Sequence, residues 1–93
     1  MRFQQVLADS GLAKTECAKL YGVSRQTIHT WAAGGVPREG SYTARMAEVI
    51  TIALEGAIAR KMLPFGSLDP VARAARITKM AATLQSLKPA PLK

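Results

Sequence analysis

This chain of 93 residues is poor in the groups from which most active sites are built. It has one cysteine and one histidine. A single cysteine cannot form an internal disulfide or a zinc cluster, and a lone histidine excludes a metal site of paired histidines. Carboxylates number six, against thirteen lysines and arginines. They are scattered, with Glu16, Glu48 and Glu55 placed as helix-surface or capping charges. There is no glycine-rich phosphate loop after a strand, no alternating strand pattern, no internal repeat and no low-complexity tract. No apolar run approaches the ~20 residues of a membrane span. Arg2, Gln4, Gln5 and Asp9 interrupt any leader-like start. These absences predict a non-enzymatic, cytoplasmic protein with no cofactor, no metal, no membrane partner and no evident small-molecule ligand.

What is present is helical punctuation. Residues 2–10 predict a first helix with Phe3, Val6 and Leu7 as its apolar face, ended by Gly11. The run from Lys14 to Gly35, KTECAKLYGVSRQTIHTWAAGG, then reads as two short helices joined by a tight turn. Thr15 is the expected cap of the first of these, and Glu16 lies in its first turn, where negative charge is favoured. Cys17, Leu20 and Tyr21 face the core, and Ala18 sits where crossing helices touch. Cys17 is read as a small core residue. Gly22 supplies the left-handed backbone of the turn, and Val23 drops inward. Ser24 caps the next helix through the amide of Gln26 or Thr27.

That second helix, about residues 25–33, has two distinct faces. Ile28 and Trp31 define a buried stripe. Gln26, His29, Thr30 and Ala33 cluster opposite, with Arg25 on the flank and no carboxylate among them. Arginine matches the paired acceptors of guanine, and glutamine the acceptor and donor of adenine. This is how a recognition helix is presented to the DNA major groove. The connector 34–40, GGVPREG, is rich in turn residues. Val36 is expected to fold onto Trp31, and Arg38 is placed to reach a phosphate, or to remain a solvated arginine.

Over residues 2 to 38 the chain resembles the phage Cro and Cro-like repressors, within the wider set of lambda-repressor-like DNA-binding proteins. Lys14, Thr15, Ala18, Lys19, Gly22, Val23, Ile28 and Gly35 carry the resemblance at the family's spacing, with the run Ser24–Arg25–Gln26–Thr27–Ile28. The resemblance implies that Arg25, Gln26 and Thr30 read bases and that His29 and Thr27 touch bases or phosphate. It also implies that Lys14 and Thr15 anchor the backbone. With Ser24 and Arg38 these make up the candidate DNA-binding set. The C-terminal half lies outside the resemblance, so the family's mode of dimerisation does not carry over.

The C-terminal half predicts two more helices. Ser41 caps a long one to about Met62 or Leu63. Met46, Val49, Ile50, Ala53, Ala57 and Ile58 form an apolar stripe, which Ile52, Leu54, Ala59 and Met62 broaden. So wide an apolar surface needs cover on more than one side. That cover is either the chain's own core or, the preferred reading, a second copy as well. Asp69 caps the last helix, with Pro70 at its first position. Ile77, Met80, Ala81, Leu84 and Leu87 recur at helical spacing, with Arg73, Arg76, Lys79 and Lys88 around them. This basic side is a solvated face or a source of auxiliary phosphate contacts.

The expected fold is therefore all-α, a bundle of about five helices containing a helix-turn-helix. Residues 1–40 are expected to form a DNA-binding domain, residues 41–88 a two-helix extension for dimerisation, and residues 89–93 a flexible tail. Met46, Val49, Ile50, Leu54, Ile58, Ile77 and Leu84 are the expected dimer interface. The net charge of +7 suits a polyanionic partner. Residues 1–40 hold five basic and three acidic residues and residues 41–93 eight and three, so most of the excess lies outside the motif. The expected function is a sequence-specific repressor that binds double-stranded DNA as a homodimer on a near-palindromic operator. The alternatives are an architectural or packaging DNA-binding protein and a protein-interaction module of antitoxin type.

Overall fold

Five helices follow one another in the computed structural model, which describes residues 2–87. They are α1 (Phe3–Ser10), α2 (Lys14–Tyr21), α3 (Arg25–Ala32), α4 (Tyr42–Ala59) and α5 (Pro70–Gln85). No strand occurs among the described residues, so the all-α expectation holds. None of the described helices is long and apolar enough to cross a membrane. The expected tail, 89–93, lies outside the described residues, as does Lys88.

Local chemistry fixes most helix ends. Ser24 Oγ accepts from the Thr27 amide at 3.1 Å, Ser41 Oγ from Ala44 at 3.1 Å, and Asp69 Oδ1 from Ala72 at 2.8 Å. Each satisfies an amide that the first helical turn leaves unpaired. Helix α1 has no side-chain cap at Arg2, and helix α2 corrects the expected Thr15 cap. It begins at Lys14, with Ala13 in the cap position, so Thr15 already lies inside it. Glu16 reaches back instead and accepts from the Ala13 amide at 2.8 Å. Helix α4 also ends earlier than expected. Lys61 takes a left-handed backbone (φ 62°), and its amide and that of Met62 turn back to Ile58 and Ala57. This is the glycine-type helix stop built without glycine.

The core is continuous from Phe3 in α1 to Leu84 in α5. The boundary at residue 40 thus divides no core: the helix-turn-helix and the C-terminal helices stabilise one another. Its centre is three aromatic rings, each edge-on to the other two. Phe3 lies 5.3 Å from Tyr21 and 5.6 Å from Trp31, and Tyr21 lies 5.8 Å from Trp31. Edge-to-face contact sets the positive rim of one ring against the negative face of the next. The buried Tyr21 hydroxyl is paired with Thr51 Oγ1 of α4 at 2.8 Å. Burial pushes the Tyr21 phenol well above its ordinary range. It also pushes the Cys17 thiol up to about 12, in keeping with a core role for Cys17.

Helix α4 buries Met46, Ala47, Ile50, Thr51, Leu54 and Ala57 against α1 and α2. This corrects the expected dimer interface. Met46, Ile50, Leu54, Ile77 and Leu84 are enclosed by their own chain, with exposures of 6% or less. Val49 and Ile58 are half-buried, and Ile58 packs against the same core. Helical spacing identifies a side chain that needs cover, but not whether the cover is internal. Here α1 and α2 supply it. Val36 also departs from expectation: it is 64% exposed rather than folded onto Trp31.

Candidate nucleic-acid interface

Helices α2 and α3 are each eight residues long, joined across Gly22, Val23 and Ser24, and packed on each other. Gly22 adopts φ 69°, and its amide and that of Val23 both turn back to the Ala18 carbonyl. A Cβ in that left-handed conformation carries a steric penalty. The turn swings α3 outward while Ile28, fully buried, and Trp31, nearly so, hold its inner side in the core. Arg25, Gln26, His29 and Thr30 are consequently all exposed on its outer side.

Arg25, Gln26 and His29 line a shallow recess of about 390 Å³. Lys14, at the start of α2, reaches this recess: its Nζ lies 3.2 Å from His29 Nδ1. An ammonium can only donate, so Nδ1 is the acceptor in this contact, and the other ring nitrogen, Nε2, is a further polar group on this face. Sequence spacing did not reveal the Lys14–His29 contact, because it joins the start of one helix to the middle of the next.

The hydroxyls of the candidate set are partly committed. Ser24 Oγ and Thr27 Oγ1 bond each other at 2.8 Å within the α3 cap. Thr27 is half-buried there, so both serve first to start the helix. Thr30 Oγ1 donates to the Gln26 carbonyl at 3.0 Å, which leaves its lone pairs to accept. Thr15 is exposed on the first turn of α2, and Arg38 is exposed in the connector. At the far end of α3, Gly35 lies so close that a Cβ there would stand 2.7 Å from Thr30 Cγ2. The close approach of the connector to α3 therefore depends on a missing side chain.

Charge on this face is one-sided. The acidic side chain of α2, Glu16, is turned away and bonded twice by Arg73 of α5, at 2.7 and 2.9 Å. Those hydrogen bonds hold its carboxyl below the usual range. Arg25 is thus exposed in a recess lined by no carboxylate, with half-buried Lys14 at its edge against His29. Such a surface can donate to acceptors on base edges and neutralise phosphate, and Gln26 adds an amide that can both donate and accept.

Comparison with models of protein families, with curated proteins and with solved structures finds no match to this chain.

Proposed function

We propose that this protein binds double-stranded DNA in a sequence-dependent way, with α3 in the major groove, and acts as a transcriptional repressor. The observation that carries the reading is the outward, acid-free face of Arg25, Gln26, His29 and Thr30, anchored from behind by Ile28 and Trp31. An exposed helix one turn past a tight turn is narrow enough to enter the groove, and Lys14 and Thr15 lie where the sugar-phosphate backbone would pass. Repression needs no catalytic group, since occupancy alone blocks polymerase.

The proposal includes a homodimer on a near-palindromic site, with half-sites about 10 base pairs apart. On α4, Val49 and Ile52 lie outside the packed core and retain surface for such a contact, with Ile52 54% exposed. Selection of bound duplexes from a random pool, with a mass measurement of the selected complex, tests both parts. A repressor enriches a two-fold site and discriminates against random DNA by ~10³ or more. Equal affinity for random DNA would make the protein architectural. Single half-sites bound one to one would remove the dimer.

A further inference from the structure

Helix α5 packs chiefly on α2, and its other side faces α4 across an open groove of about 780 Å³. Alanines at 53 and 57 make the α4 wall shallow, which leaves the space. Leu54, Ala57 and Leu84 form a buried floor, and Met80 is half-buried beside them. Met62 and Leu87 stand at the lip with exposures of 58% and 48%. Arg60, Lys61, Arg76 and Lys79 are exposed lining residues, and the lining includes no carboxylate.

An apolar trough edged by four cations calls for an occupant that is apolar on one side and acidic on its flanks. A second copy of this chain fits poorly. Glu16, Glu48 and Glu55 are tied to arginines, Asp9 accepts from Gln5 and Asp69 caps α5, which leaves exposed Glu39 of the connector, one carboxylate per copy against four rim cations. With a net charge of +7, two copies meeting here would bring cation against cation. Duplex DNA would neutralise the rim but leave the apolar floor, Met62 and Leu87 in water. The groove is lined along α5 by Arg76, Lys79, Met80, Thr83 and Leu84, about two and a half turns, and just beyond the helix by Leu87, which matches the footprint of a short helix rather than a small molecule.

We infer that this groove receives an acidic amphipathic helix from a different protein, with apolar residues at i, i+3, i+4 and i+7 and carboxylates on both flanks. The inference stands independently of DNA binding by α3. Such a partner would attach the protein to a second macromolecule through the basic side of α5.

The test is a nuclear magnetic resonance titration of the full chain. The probes are three synthetic helical peptides of about 14 residues. The first has a leucine face and glutamate flanks, the second exchanges glutamate for lysine, and the third exchanges leucine for serine. The first should bind with a Kd of about 1–100 µM and shift the amides of Ala53, Ala57, Met80 and Leu84. The lysine and serine peptides should not. Arg76→Glu with Lys79→Glu, both exposed, should weaken the first peptide at least ~10-fold, with an unchanged circular dichroism spectrum confirming the fold.

No binding by the glutamate peptide, or equal binding by the serine peptide, would overturn the inference. So would loss of self-association, or loss of affinity for random duplex, in the charge-reversed variant that left peptide binding intact. Those results would assign the groove to a second copy or to phosphate.

Discussion

Arg73 of α5 grips Glu16 of α2 at two points, Nε to Oε2 at 2.7 Å and Nη2 to Oε1 at 2.9 Å, across 57 residues of sequence. The same guanidinium donates to the Gly11 carbonyl at 2.9 Å and lies 5.4 Å from the centre of the Phe65 ring. One side chain thereby ties the last helix to the first turn of the helix-turn-helix. It also draws the acidic group of α2 away from the candidate DNA face.

Arg73→Ala should cost about 1–2 kcal/mol of stability, since a paired, largely covered charge-assisted hydrogen bond is lost and Glu16 is left uncompensated. The pH dependence has a definite sign. Glu16 is held below its ordinary value of 4.5 in the folded chain, so the folded state binds its proton less readily than the unfolded state does. The contribution is complete above about 4.5 and is lost as pH falls through the lower folded value. Urea unfolding between neutral pH and pH 3 should show Glu16→Gln less stable than the parent at pH 7 and converging on it in acid. Parallel curves for the two would refute this.

Gln26→Ala and Lys14→Ala should fail in different ways. Loss of the Gln26 amide should cost about 1–3 kcal/mol on the best site and relax preference at one base position. Loss of Lys14 should weaken specific and random sites alike and reduce the salt slope by about one. Binding isotherms at several salt concentrations separate the two. Identical losses on both kinds of DNA would remove the distinction between reading and anchoring.

Lys61 holds a left-handed backbone, φ 62°, at the end of α4. A side chain there costs about 1 kcal/mol relative to glycine, which more than covers the extra freedom glycine gives the unfolded chain. Lys61→Gly should therefore leave the protein as stable as the parent, or more stable by up to ~1 kcal/mol. Lys61→Val, branched at Cβ, should destabilise it. Thermal unfolding of both variants checks the order.

The buried Tyr21–Thr51 hydroxyl pair, 2.8 Å apart, should behave as a unit. Tyr21→Phe or Thr51→Val alone leaves one buried hydroxyl unpaired and should cost about 1–3 kcal/mol. The double variant should cost less than the sum, because no orphaned group remains. Denaturant unfolding of all four proteins closes the cycle, and strict additivity would show that the hydroxyls act independently.

The N-terminal three helices were legible because their ends are marked in the sequence. Gly11, Gly22 and Ser24 have local, unambiguous preferences, and Ile28 with Trp31 sets the orientation of α3. The outward placement of Gln26, His29 and Thr30 follows from that orientation. Helix ends made by other means were missed: Lys61 turns without glycine, and α2 starts from Ala13 with help from Glu16. Leu12 and Leu63 are core residues, 5% and 3% exposed, but stand outside any helical repeat. The residues expected between two copies are mostly internal, because periodicity registers the need for cover and not its source. The Arg73–Glu16 pair depends on a fold that brings distant helices together, so no local pattern contains it.

The central claim is that the outer side of α3 is the surface that meets DNA. The most direct test is to titrate the full chain, labelled with nitrogen-15, with the duplex recovered by selection, and to map the amides that shift. The account predicts shifts at Arg25, Gln26, His29 and Thr30, with Lys14 and Thr15, while the buried segment around Ile50 and Leu54 stays still. Shifts confined to α4 and α5, or none at saturating duplex, would contradict it.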